Sequence, residues 1–147
     1  MKKFLLLLSF IVVIHSLAQT SPERYSTLVK TADSLYNAKN YKASAFTYSD
    51  AFKANDWTGT VNDRYNAACS WALANYPDSA FSNLQNIVTN AHYFNYEHIS
   101  TDADLKNLYK DKRWRPLLAM VKQNKARAEA NFNKPLMDEL TQVLKDD

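Results

Sequence analysis

Glycine is nearly missing from this chain: Gly59 is the single one in 147 residues. Tight hairpin turns lean on glycine for positive φ, so a fold of many β-hairpins is disfavoured and helices are favoured. Cysteine is as scarce, and a lone Cys69 excludes an intrachain disulfide framework. An excess of one charge is lacking too. Lys2 and Lys3 account for two of the eighteen basic side chains, which leaves sixteen against fifteen acidic ones. That near balance gives no long-range field toward nucleic acid or an anionic membrane surface. Alternating runs of β-branched residues, the mark of half-buried strands, are also absent. What the chain has instead is 46% apolar residues, enough at this length for one domain with a core.

The first twenty residues, MKKFLLLLSFIVVIHSLAQT, combine a basic start, an apolar run from Phe4 to Ile14, and small residues in Ser16-Leu17-Ala18. This is the pattern of a secretory signal peptide over residues 1–18, with cleavage after Ala18. The run is short for a membrane span of ~20 residues. The residue directly after the cleavage point is Gln19 and not a cysteine, so a lipid anchor is not supported.

Apolar residues then recur at helical spacing. Pro22 to Lys39 carries Tyr25, Leu28, Ala32, Leu35 and Tyr36 on one face, with Asn40 as the expected left-handed turn residue. Tyr41 to Ala54 turns Ser44, Ala45, Tyr48, Ala51 and Phe52 inward. Arg64 to Val88 reads as two helices around Asn75-Tyr76-Pro77-Asp78, with Tyr65, Ala68, Cys69 and Ala72 facing Ala80, Phe81, Leu84, Ile87 and Val88. Proline suits a first helical turn, and the aspartate beside it complements the helix dipole. Small residues let the two backbones of such a hairpin approach closely.

The two hairpins align at a fixed offset. Ala32 and Ala68, Leu35 and Trp71, Ser44 and Ala80, Tyr48 and Leu84, and Ala51 and Ile87 are each 36 positions apart. A period in the mid-thirties marks stacked helical hairpins. On these residues, from Tyr25 to about Ala91, the chain resembles the tetratricopeptide (TPR) family, although neither repeat carries the family's turn glycine. The string His98 to Leu118, with Arg113-Trp114, resembles the closing part of TPR-like regions in exported bacterial proteins. The resemblance gives Trp114 a structural role there, sealing the last groove. It implies an all-α fold, a right-handed superhelix of stacked antiparallel hairpins, over residues 19–132.

Beyond that region, Asn133 is a plausible cap, Pro135 suits a first turn, and Leu136, Met137, Leu140, Val143 and Leu144 form an apolar stripe. The expectation is a separate amphipathic helix over 133–147. It would cap the array by packing back on the surface of Leu117 to Val121, or link to a further domain.

Candidate chemistry is thin. Cys69 sits among alanines with no His, Lys or Arg at helical contact spacing to lower its pKa, so a small buried residue is expected rather than a nucleophile. His92, Glu97, His98, Asp102 and Asp104 are close in sequence, but the histidines are six apart across an expected loop, which is not metal-ligand spacing. Thr101 to Asp104 reads more simply as a helix start. The basic stretch from Lys110 to Arg127, with Trp114 inside it, is interrupted by Asp111 and reads as a solvated surface. No catalytic, metal or cofactor residue is assigned, and nucleic-acid binding is not expected. The family resemblance implies a peptide groove lined by the first helix of each hairpin: Lys30, Asp33 and Asn37, then Asn62, Tyr65 and Asn66. Tyr36 and Trp57 are further aromatics that can face a groove. Val29 and Asp33 stand where a carboxylate clamp would want Lys and Asn, so capture of a free C-terminus is not expected.

The leader and the resemblance together point to an exported, non-catalytic protein- or peptide-binding module, in the periplasm or outside a Gram-negative cell. Two alternatives are the accessory region of an exported hydrolase or other envelope enzyme, and a carbohydrate or envelope-polymer binder using exposed Tyr and Trp. N-terminal sequencing of the native protein should return Gln19 first; Met1 in its place would refute export by this leader.

Overall fold

The computed structural model describes the backbone of residues 21–146, with side chains throughout except at 132, 133, 135–137, 140 and 143–146. The leader 1–18 lies outside the described residues. Six α-helices and one 3-10 helix follow one another: α1 Ser21–Asn37, α2 Tyr41–Ala54, α3 Val61–Leu73, α4 Pro77–Asn90, α5 Tyr96–Thr101, the 3-10 helix Ala103–Leu108, and α6 Trp114–Asp146. Among the described residues there is no strand, so the chain is all-α. No helix among them is long and apolar enough to cross a membrane.

The helix starts follow local chemistry. Thr60 caps α3, its hydroxyl accepting from the Asp63 N–H at 3.1 Å. Pro77 opens α4 with Asp78 in the first turn. Asn95 caps α5, and Asp102 caps the 3-10 helix by accepting from the Asp104 N–H at 2.9 Å. The start expected at Thr101 to Asp104 is therefore real, but it opens a short 3-10 turn.

The helices pack in adjacent pairs. α1 lies on α2 and α3 on α4; α2 joins the pairs by packing on α3; the 3-10 helix lies on α3, and α6 on α4 and α5. The predicted inward faces of α2, α3 and α4 are the core, whereas of the face predicted for α1 only Ala32 is buried and Tyr25, Leu28, Leu35 and Tyr36 are half-buried. Ser44, Ala45, Tyr48, Ala51 and Phe52 are buried, as are Ala68, Cys69, Ala72, Ala80, Phe81, Leu84, Ile87 and Val88. Trp114 is buried with its ring stacked on Tyr109, in keeping with its expected structural role. The last segments are tied back to α3 and α4. Arg113 pairs with Asp78 at 2.7 Å, and the side-chain amides of Asn107 and Asn124 donate to the carbonyls of Ala72 and Val88 at 3.3 and 2.8 Å. Each of these partners is 35 or 36 positions away.

Two expectations are overturned. The left-handed residue after α1 is Lys39, at φ 60°, and not Asn40, at φ −87°. Asn40 instead sends its N–H back to the Leu35 carbonyl at 2.9 Å, which closes the helix end. Nor does the chain break at Asn133. α6 is one helix of 33 residues, about 50 Å long at 1.5 Å per residue. An interior proline costs a backbone N–H and crowds the carbonyl four residues back, but the helix runs on through 135, and the run from Lys122 to Ala130 that leads into it is rich in good helix formers. A helix that does not break does not fold back, so 133–146 is not a separate cap over Leu117 to Val121. The stripe of Leu136, Met137, Leu140, Val143 and Leu144 lies outside the described side chains.

The scarcity of glycine has a visible consequence. α1 to α4 each end through a left-handed residue that is not glycine: Lys39, Asp56 followed by Trp57, Asn75 and His92. Gly59 serves another purpose, because its φ is not positive. A Cβ there would stand 2.5 and 2.7 Å from the ring of buried Phe52. The glycine is thus placed for room and the left-handed turns do without it. Gly59→Ala should destabilise the fold by ~1–3 kcal/mol through overpacking. Lys39→Gly should stabilise it by about 1 kcal/mol, since a left-handed side chain is penalised. Urea unfolding midpoints that moved in the opposite directions would refute this account.

Candidate functional site

The face made by α1, α3 and the 3-10 helix is organised by tyrosines that donate to carboxylates on other elements. Tyr25 of α1 donates to Asp63 of α3, Tyr48 of α2 to Asp33 of α1, and Tyr36 of α1 to Asp104 of the 3-10 helix. Tyr65 of α3 donates to Asp102 at 2.8 Å. The helical periodicity that aims the tyrosines inward also aims their hydroxyls across the seams. Burial, followed by the carboxylate hydrogen bond, pushes Tyr25 up to about 12. The same two causes raise Tyr36, Tyr48 and Tyr65 further. Burial and then the nearby charge of Asp102 push Tyr93 up to about 12.

An open cavity of about 400 Å³ lies between α1 and α3, lined by Asp33, Tyr36, Asn37, Tyr48 and Asn66. Three of the expected groove residues, Asp33, Asn37 and Asn66, therefore converge. The other three do not join them. Lys30 lines a separate shallow cavity with Thr27, Thr31, Ser34 and Leu35. Asn62 is exposed outside both cavities. Tyr65 is only 5% exposed, its ring stacked on His98 at 4.6 Å and its hydroxyl held by Asp102, so it is core and not a groove contact. Tyr36 does line the cavity, and Trp57 stands 64% exposed on a different face. Tyr48 was legible as core but not as a cavity wall; its hydroxyl end reaches the groove because Asp33 lies across the seam.

The sequence cluster around His92 divides: His98 stays 4.0 Å from Asp102, while His92 and Glu97 leave it. His92 lies in the turn after α4, Glu97 pairs with Lys125 at 2.6 Å, and His98 accepts or donates to the Tyr93 hydroxyl at 2.8 Å. In its place the fold gathers Cys69, Asp102 and Asp104, whose ligand atoms lie within 4.8 Å of one another. Cys69 is 33 positions from Asp102, so no local spacing could reveal this grouping. All three groups are engaged. Asp102 accepts from Tyr65, from the Cys69 thiol at 3.8 Å and from the Asp104 N–H, and Asp104 accepts from Tyr36. Burial, and then the charges of Asp102 and Asp104, push the Cys69 thiol well up, which is the reverse of what a nucleophile needs. The basic stretch is partly occupied, with Lys110, Lys112, Arg115 and Arg127 exposed. Arg113 bridges Asp111 and Asp78 and lies over the Phe81 ring at 4.2 Å, and Lys122 lies over Tyr96 at 4.6 Å.

No protein-family model matches the chain, and no curated protein and no solved structure matches it either.

The tyrosine pairs fix a pH dependence. An unfolded tyrosine loses its proton near pH ~10, whereas folded Tyr25 and Tyr93 keep theirs to about 12. Between those values the folded state binds more protons, so stability is complete below the unfolded pKa and falls as pH rises through the folded one. Urea midpoints should hold from neutrality toward pH ~10 and drop above it, with the phenolate absorbance of the buried tyrosines appearing only as the protein unfolds. Full phenolate absorbance from a still-folded helical protein would contradict the buried pairs.

Proposed function

We propose that the chain is an exported, non-catalytic, TPR-like module that holds an extended peptide segment along α1 and α3. The observation that carries this reading is the convergence of Asp33, Asn37 and Asn66, from two successive hairpins, on one open cavity walled by Tyr36 and Tyr48. Side-chain amides and a carboxylate on rigid helices match the alternating N–H and C=O groups of an extended backbone. Holding them ready lowers the ordering cost of binding. The packing of α1 on α2, of α3 on α4 and of α2 on α3 supports the repeat reading. The deeply buried, proton-retaining Cys69 and the fully engaged Asp102 and Asp104 support a non-catalytic role.

The carboxylates Asp33, Asp63, Asp102 and Asp104 make this face acidic, so selected peptides should be enriched in Lys or Arg. The test is selection from a random peptide library against the mature chain, with affinities measured for the wild type and for Asn66→Arg and Asn37→Ala. Asn66 is exposed, but its side chain bonds the hydroxyl of buried Tyr48, so the melting temperature of the Asn66→Arg variant is measured alongside. Asn66→Arg should weaken binding by at least about tenfold, or roughly 1.4 kcal/mol. A library that yields no binder, or binders indifferent to Asn66→Arg, would refute the groove assignment.

A further inference from the structure

A third cavity, of about 360 Å³, opens between α2 and α4. Its floor is aromatic: Phe52 and Trp71, both buried. Its walls are small and polar: Ser49 of α2, and Asp78, Ser79, Ser82 and Asn83 of α4. Over its edge stands Trp57, the most exposed of the large hydrophobic side chains described.

Trp57 is the unusual residue. Its backbone is left-handed at φ 59°, directly after Asp56 at φ 51°. A bulky side chain in that conformation is penalised, and such a residue persists only where its surroundings hold it. They do hold it. The Trp57 N–H donates to the Phe52 carbonyl at 2.7 Å, and its carbonyl accepts from the Arg64 guanidinium, which lies over the Phe52 ring at 4.5 Å. The indole itself, by contrast, enters no ring stack or cation–π pair among the described residues. The fold thus fixes the backbone of a strained residue and leaves its ring in water beside a polar cavity. Packing does not explain that arrangement, and a glycine would serve the turn better.

We propose that this cavity is a carbohydrate-binding site, with Trp57 as the platform on which a neutral pyranose ring stacks. A sugar ring presents C–H groups on its faces and hydroxyls at its rim. The indole face, with its negative quadrupole, attracts the C–H groups. The hydroxyls need partners that both donate and accept, which Ser49, Ser79 and Ser82 are. The one charged wall residue, Asp78, is matched by Arg113 at 2.7 Å, so the cavity asks for hydrogen bonds and not for a counter-charge. Asn83 is prearranged: its amide donates to the Ser79 carbonyl at 2.9 Å and its oxygen accepts from Arg64 at 3.3 Å.

The site is separate from the α1–α3 groove, so the two assignments stand or fall independently. The probes are maltohexaose, cellohexaose and the N-acetylglucosamine tetramer, titrated calorimetrically into the mature chain, with a proline-rich decapeptide alongside. At least one oligosaccharide should bind saturably at millimolar or lower concentration. Trp57→Gly should lower that affinity by more than about tenfold, while its melting temperature equals or exceeds that of the wild type. Because this variant relieves the backbone, lost binding cannot be laid to misfolding. Ser82→Ala should weaken binding several-fold, and Asn66→Arg should not change it. The proposal is overturned if no oligosaccharide binds, if Trp57→Gly binds as the wild type does, or if the decapeptide alone is bound.

Discussion

Close approach of helix backbones is the constraint on which this molecule rests. Ala32, Ala45, Ala68, Ala72 and Ala80 are essentially without exposure, and they stand where α1 to α4 meet. At the centre, the Ser44 hydroxyl donates to the Ala32 carbonyl at 2.8 Å and lies 2.9 Å from the Ser70 hydroxyl. A larger residue at any of these points would push helices apart by more than a hydrogen bond can stretch. The tyrosine–carboxylate pairs depend on that spacing, since a phenol reaches a carboxylate on the next element only if the seam between them is narrow. Among the described residues no buried side-chain nitrogen or oxygen is left without a partner, which is what allows so many polar groups inside a small all-α core.

Much of this was readable before any coordinates. Periodicity of 3.6 picks out a buried face whenever small and apolar residues recur on it, and α2, α3 and α4 do this without interruption. The reading failed where local chemistry is degenerate. Asn is the better left-handed former, so Asn40 was expected over Lys39, but the register of the α1 end puts Lys39 at that position. Asn133 and Pro135 together resemble a helix start. A proline within a long polar helix reads the same way, and only the helix on both sides distinguishes the two.

The candidate groove was partly legible for a similar reason. The family resemblance assigned Asp33, Asn37 and Asn66 to a groove along α1 and α3, and they do meet at one cavity. It also assigned Tyr65 there, against the helical spacing that turned Tyr65 inward with Ala68, Cys69 and Ala72. Tyr65 is drawn inward by Asp102, 37 positions on, and covered by His98, neither of which a single-helix pattern contains. The Trp57 site was less visible still. Exposure of a tryptophan is not a property of its neighbours in sequence, and a left-handed backbone at a residue other than glycine has no compositional sign.

The hydrogen bond from Tyr36 to Asp104 joins groups 68 positions apart. In a stack of hairpins each unit senses only those beside it, and the ends fray first. Here α1 is tied directly to the 3-10 helix that follows α5. Loosening of α1 strips Asp104 of a donor, and loosening of the 3-10 helix strips Tyr36 of its acceptor. Each segment therefore opposes the opening of the other by about the worth of one hydrogen bond, although α2 to α5 lie between them in sequence.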